Sequence, residues 1–392
     1  MTDTTITLSA GERALLEALP ETPAGEAARD LLGASGLPTR RVEAFKWSDL
    51  RAAFADGVPV AAGEPGAHLL PGALEITAHV DGLQIEGDKP EGVTLASVET
   101  APGDSHDPAG LLARARAPRT LRIEVEAGVT LPLSLVRAPG AGVAIELVLA
   151  EGAQVLLAEH VAAAGGVCTG VIEAAVGPGA SLTRVLVQDG SDTTVELSQA
   201  DVTLAAGSSF SQTGLLLGAR FARAGLTVRI EGADARCSIN GAYLLAGSRH
   251  GDFTVRVEHG ATGGITRELF KGAVRDRARG VFQGKILVER AAQKTDARQN
   301  HHALMLSEGA EVDAKPELEI YADDVACAHG NTIGALDEAS LFYMRQRGIP
   351  LPRARALLVQ AFVSEAFDGV ENEALASALA GRAEAWLLEA GS

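Results

Sequence analysis

Leu226-Thr227-Val228-Arg229-Ile230 with the turn signal Glu231-Gly232-Ala233 behind it, then Thr254-Val255-Arg256-Val257-Glu258 with His259-Gly260-Ala261 behind it, carry the repeating unit of this chain. Each is an alternating, β-branched run closed by a glycine turn, the pattern of a strand with one buried face. The unit recurs upstream, as Leu121-Arg122-Ile123-Glu124-Val125 before Ala127-Gly128 and as Ala144-Ile145-Glu146-Leu147-Val148-Leu149 before Glu151-Gly152-Ala153. Further turn signals stand at Gly177-Pro178-Gly179-Ala180, Ala206-Gly207-Ser208, Gly284 and Glu308-Gly309-Ala310. Successive glycines are about 24 to 28 residues apart, a period that marks a solenoid. One coil cannot bury its own apolar face, whereas stacked coils share a core and pair strands with their neighbours. The repeat predicts a mainly β chain with a right-handed parallel β-helix core over residues 116–335. A β-sandwich is the competing arrangement.

Outside that core the period changes. Ser9-Ala10-Gly11-Glu12 is a capping box that opens a helix through Leu15, Leu16 and Leu19 before Pro20, and a second short helix fits Glu26 to Leu32, ended at Gly33. Arg40 to Leu50 reads as a helical turn anchored by Phe45, Trp47 and Leu50, within an N-terminal helical region over 1–60. Residues 61–115 form a mixed α/β connecting region, with strand-like runs at Leu83 to Ile85 and Val93 to Leu95. After Gly334, Asp337 caps a helix with Leu341, Phe342 and Met344 that ends at Gly348; Pro350-Leu351-Pro352 opens a longer one through Phe362, and Glu373 to Leu388 supplies a third. This C-terminal helical domain, 336–392, either covers the solenoid end or binds a partner.

The net charge is −17 and no Lys/Arg cluster is interleaved with aromatics, so nucleic acid is not an expected partner. Met1 to Ala10 lacks a basic segment leading into an apolar one, and no stretch reaches the roughly 18 apolar residues of a membrane span, so a cytoplasmic protein is expected. Cys168, Cys237 and Cys327 are odd in number and far apart, which predicts reduced thiols, the first two as small core residues.

Metal-ligand character is concentrated at Cys327-Ala328-His329. In an extended segment, positions i and i+2 share a face, and a thiolate with a neutral imidazole makes a soft, borderline ligand pair. Two ligands do not complete a tetrahedral site, and a buried cysteine beside a satisfied histidine is the plainer reading. His301-His302 are weaker candidates, because adjacent residues face opposite ways in a strand. Gly280-Val281-Phe282-Gln283-Gly284-Lys285-Ile286 resembles a phosphate loop but is one residue short and lacks the hydroxyl after Lys285; there is no Gly-x-Ser-x-Gly elbow. No catalytic residue is assigned.

Gln293-Lys294-Thr295-Asp296-Ala297-Arg298-Gln299-Asn300, Leu304-Met305-Leu306-Ser307, Lys315-Pro316-Glu317-Leu318-Glu319-Ile320-Tyr321-Ala322-Asp323-Asp324-Val325 and Cys327-Ala328-His329-Gly330-Asn331-Thr332-Ile333-Gly334 form a dense signature that continues through Leu341 to Ile349. With the block from Gly36-Leu37-Pro38-Thr39 to Asp49-Leu50, this resembles the SufB/SufD family of the SUF iron-sulfur cluster assembly machinery, on its D branch. The B branch is longer and has an acidic segment where this chain has Cys327 to Thr332. Asn331 stands where the family more often has a small residue, and His301-His302 where asparagine is common; residues 55–115 and 370–392 carry little of the resemblance.

The resemblance implies a non-catalytic scaffold whose β-helix pairs end to end with SufB and whose C-terminal helices dock SufC, the ATPase. Leu341, Phe342, Tyr343, Arg345, Arg347, Gly348 and Phe362 are then the docking residues. Cys327 and His329 come to lie near the SufB interface, where a transient iron-sulfur cluster or iron is held with ligands from both subunits and no cofactor is permanently bound. ATP-driven motion of SufC is transmitted through the helices at 337–367. An exposed strand edge also allows a homodimer of the isolated chain. The alternative is a secreted-type β-helix polysaccharide lyase or hydrolase, which requires clustered carboxylates on one solenoid face; Asp323-Asp324, adjacent in a strand, does not supply them.

Overall fold

The computed structural model describes residues 7–102 and 107–389; of Met1 to Ala10, read above for a leader, residues 1–6 lie outside it. From Thr120 onward the chain winds as a parallel β-solenoid of about eight turns with two strand-bearing walls. One wall runs Thr130–Arg137, Gln154 onward, Ser181–Gly190, Ser209–Leu216, Arg236–Leu245, Ile265–Val274, Asp296–Met305 and Ala326–Gly334, each paired in parallel with the next. The other runs Thr120–Val125, Gly142–Leu149, the second half of Gln154–Val176, Thr194–Leu204, Phe221–Ile230, His250–His259, Arg279–Val288 and Glu311–Ile320. Gln154–Val176 passes from one wall to the other, turning a corner where Gly165 and Gly166 have φ 94° and 83°. Strands consecutive in sequence alternate between walls and every pairing along them is parallel, which excludes the sandwich.

The turns stack as the strands do. At one corner of the solenoid the left-handed residues Gly128, Gly152, Gly179, Gly207, Asp234, Gly263 and Lys294 form a column, and each donates its backbone N–H to the next coil's turn, as Gly152 N to Pro178 O at 3.0 Å and Gly263 N to Gln293 O at 2.9 Å. Glycine adopts that conformation without a Cβ penalty, which is why the repeat is written in glycines. Gly284 is not one of these turns. It lies inside Arg279–Val288, and its coil turns instead at residues 289–295, where Lys294 occupies the left-handed position. The apparent phosphate loop, Gly280 to Ile286, is likewise extended strand.

The walls enclose a core of Leu, Ile and Val that gives way to a tilted stack of Phe253, Phe270 and Phe282, with ring centroids 5.1 and 4.6 Å apart. Cys168 and Cys237 are buried, as the sequence predicts. N-terminal helices Ala10–Glu17 and Pro23–Ser35, with Pro108–Arg116, pack on the outside of the second wall against Val167, Val195, Leu197 and Phe221. The capping box at Ser9 and Glu12 is present. The second helix is longer than its glycine suggested: Thr22 caps it, Gly33 lies within it, and Gly36, φ 69°, ends it. Phe45 and Leu50 are buried anchors, and Ser48 donates to Asp252 on the solenoid.

Three helices follow, Glu338–Gln346, Leu351–Ser364 and Glu373–Glu389; Asp337 caps the first, accepting from Ala339 N and Ser340 N, and Pro352 lies in the first turn of the second. They do not cover the solenoid end. Val359, Val363, Leu375, Leu379 and Trp386 pack on the outside of the first wall, over Val185, Leu215 and Leu244. The two ends of the stack are therefore unlike. At the start, Leu83–Glu86 and Val93–Val98 add antiparallel to the two walls. At the finish, Glu311–Ile320 and Ala326–Gly334 pair on one side only.

Titratable groups sealed in this interior set a pH profile. Burial lowers His259 and His301 to about 4, from 6.5, and raises Glu268 to about 7 and Glu196 to about 8, from 4.5. Below pH 6.5 the unfolded chain binds protons on these imidazoles that the folded chain refuses, so stability is lost toward acid. Above pH 4.5 the folded chain keeps carboxyl protons that the unfolded chain has lost, so this contribution falls away as pH rises through about 7 to 8. The two effects oppose one another between 4.5 and 6.5, where stability is expected to be flat. Melting temperatures recorded from pH 5 to 9 should decline between about 6.5 and about 8 and level off above, and Glu196→Gln should remove much of the decline. A wild-type profile flat to pH 9 contradicts this assignment.

Candidate functional site

The open end brings together the residues that sequence spacing singled out. Register sets Cys327 beside Ala297, His329 beside Gln299 and Asn331 beside His301. Ala297, Gln299 and His301 are all buried inside the solenoid, and paired residues of parallel strands share a face. Cys327, His329 and Asn331 therefore line one wall of the lumen mouth. The opposite wall is apolar: Val312, Ala314, Pro316, Leu318 and Ile320 continue the inward column of Gly280, Phe282, Gly284, Ile286 and Val288.

Cys327 is half-buried against the core, and burial raises its thiol above the usual range. It is a thiol in the free chain at neutral pH, and a metal or a nearby cation is needed to draw off its proton. His329 is exposed on the rim. Around the mouth Ile320, Tyr321 and Ile333 are 40%, 56% and 38% exposed. Large apolar groups beside an unpaired strand edge are what a protein conceals with a partner.

His301 and His302 face opposite ways, as adjacent strand residues must, and neither joins Cys327 as a ligand. His301 is buried and stacks on Phe282 with centroids 4.8 Å apart. Its Nδ1 lies 2.7 Å from Asn331 Oδ1, an acceptor, so Nδ1 carries the proton and Nε2 accepts from the Tyr243 hydroxyl at 2.8 Å. His302 lies on the outer surface beside Thr332 Oγ1 at 2.7 Å; burial, then Lys271, lowers its ring below the usual range. Among the described residues no group of three or more His, Cys, Asp or Glu is placed to hold a metal ion, so two rim ligands need others from elsewhere.

The first C-terminal helix presents an exposed face, with Phe342 65% and Tyr343 60% exposed and Arg345 and Arg347 beside them. The Arg347 guanidinium lies 5.1 Å from the Tyr343 ring centre. Two docking residues expected from the sequence are placed otherwise. Leu341 is buried at 3%, on the helix face turned inward, and Phe362 is half-buried under Lys271, whose ammonium is 4.5 Å from its ring centre. Helical spacing had marked both as apolar without showing which face the solenoid takes. Gly348, φ 81°, terminates the helix.

Residues 140–362, which include the rim strand and this helix, match the family model described as SUF system FeS cluster assembly, SufBD core domain. The chain belongs to the SufB/SufD family. It is SufD-like: it is 35% identical over 175 residues to the iron-sulfur cluster assembly protein SufD of Escherichia coli, covering 45% of this chain and 41% of that one. It is 32% identical over 235 residues to an iron-sulfur cluster assembly SufBD family protein of Synechocystis, covering 57% and 52%. SufD of Bacillus subtilis is 35% identical over 118 residues, covering 30% and 27%. The alignments span about half or less of the length of these relatives. As a SufB/SufD-family solenoid, the chain carries its Cys-x-His pair on the terminal coil, and no helix among the described residues is long and apolar enough to cross a membrane.

Sequence reasoning missed the polar side chains beneath the rim. Glu268, Gln299 and His329 are consecutive members of one inward column, 31 and 30 residues apart. Only a coil-by-coil register brings them together.

Proposed function

We propose that this chain is a non-catalytic scaffold of cytoplasmic iron-sulfur cluster assembly, whose open solenoid end pairs with a SufB-type solenoid. The observation that carries this is the one-sided last coil, with a Cys-x-His pair at the lumen mouth and apolar residues around it. Strand addition across two such ends joins their hydrogen-bond ladders and buries Ile320, Tyr321 and Ile333. Iron and sulfide are cargo at this joint: Cys327 and His329 supply soft and borderline ligands, and the facing subunit supplies the rest. Phe342, Tyr343, Arg345 and Arg347 form the surface on which the SufC ATPase docks, so ATP-driven movement reaches the rim through Glu338–Gln346. The same open edge lets two isolated copies pair when SufB is absent.

Co-expression with SufB and SufC tests the two surfaces separately. Ile320→Asp together with Ile333→Asp should abolish recovery of SufB while leaving the chain folded, because it buries charge in the joint. Phe342→Asp should release SufC but retain SufB. Retention of SufB by the double rim variant sinks the end-to-end arrangement.

A further inference from the structure

The lumen behind the rim is polar along one line. Glu268 is beside Gln299 in the parallel ladder, and Gln299 is beside His329. Gln299 Nε2 donates to Glu268 Oε2 at 2.8 Å, and the two residues are 0% and 2% exposed. The facing wall makes room for this amide: a Cβ on Gly284 would lie 2.2 Å from Gln299 Nε2. With its nitrogen committed to Glu268, Gln299 has a buried Oε1 without a hydrogen-bond partner. Leaving such an acceptor unmatched costs about 1–3 kcal/mol. The next side chain in the column is His329, one strand away at about 4.8 Å; its exposed ring makes no hydrogen bond to that oxygen in this structure, but it carries a ring N–H in either neutral tautomer. A parallel case lies two residues along, where the Tyr243 hydroxyl, His301 and Asn331 are already linked from the interior to the rim.

We propose that Gln299, held by Glu268, is a positioning residue for His329: when the imidazole rotates inward, Gln299 Oε1 accepts a ring N–H of His329, fixes one tautomer and turns the other ring nitrogen to the lumen mouth. Histidines that ligate metals are held in this way through their second nitrogen. The consequence for cluster assembly rests on the proposed role of His329 there, whereas the hydrogen bond itself does not.

The test is the tautomer of His329 in the full-length chain, read from long-range nitrogen-proton correlations of labelled histidine and assigned by the signal lost in His329→Ala. Wild type should show one tautomer to near exclusion. Gln299→Leu should return the ratio to that of a solvent-exposed imidazole, while Glu268→Gln, whose amide oxygen still accepts from Gln299, should keep the wild-type pattern. An exposed-type mixture in wild type, or no change in Gln299→Leu, overturns the proposal. If Gln299→Leu does not fold, the wild-type ratio decides alone. Cluster recovered from the SufB and SufC complex, measured in parallel, should fall about tenfold in Gln299→Leu, the usual scale for an outer-shell partner. A changed tautomer with cluster unaffected in His329→Ala leaves the hydrogen bond standing and removes the cluster role.

Discussion

Glu159→Ala is expected to cost about 3–5 kcal/mol of stability, the range for removing one partner of a buried ion pair. Glu159 is 1% exposed and sits between two arginines: Arg137 Nη2 is 2.6 Å from Oε1, and Arg184 reaches Oε2 at 2.5 Å through Nη2 and 3.0 Å through Nε. Burial works against the Glu159 charge, but Arg184 and then Arg137 outweigh it and hold the carboxyl below its usual range. Among the described residues no other carboxylate pairs with Arg184. Glu196 is 3.6 Å from Arg137, but burial raises it to about 8, so it is largely protonated at neutral pH. Alanine would thus leave Arg184 sealed between the walls without a counterion and Arg137 with Glu196 alone, beside the neutral acceptors Gln212 and Ser198. Against a typical total of about 5–15 kcal/mol, that loss brings the chain near its folding limit. The urea midpoint should fall accordingly, and Arg137→Met, Glu159→Leu and Arg184→Met together should recover much of it, because an apolar set of similar volume avoids the desolvation cost. A midpoint for Glu159→Ala within about 1 kcal/mol of wild type, the scale of an ordinary surface pair, contradicts the assignment.

The solenoid was legible because its signals are local and repeated. Alternating runs such as Thr254 to Glu258 and the glycines of the turn column each follow from one coil's backbone needs, and each recurs often enough to show a period. Gly284 misled because glycine serves two purposes in this fold: left-handed turns, and close approach of walls inside the lumen, where it faces Gln299. Sequence has no local mark that separates them. Lys294 and Asp234 show the converse, left-handed turn residues that are not glycine. Helix caps at Ser9 and Asp337 were equally readable, since a cap involves residues three apart. What the helices cover was not readable: Leu341 and Phe342 look alike in sequence, yet one is buried and the other faces outward. At the site, the i, i+2 rule placed Cys327 and His329 on one face and separated His301 from His302. It did not show that this face is the mouth of the lumen, nor that Tyr243, Glu268 and Gln299 lie beneath it, because those relations run between coils and depend on register.

His329 and Cys327 are two ligands at most, in a chain where no described cluster completes a metal site, so cluster must be built against a second subunit or not at this end at all. His329 is exposed on the rim, so His329→Ala should leave folding and end-to-end pairing intact. The measurement is iron and acid-labile sulfide per complex, recovered after co-expression with SufB and SufC, for wild type against His329→Ala. The complex is expected to assemble in equal amount while cluster falls by at least about tenfold, the loss that even an outer-shell partner of a metal site commonly brings. Equal iron and sulfide in the two complexes would contradict it and make this subunit a structural partner only.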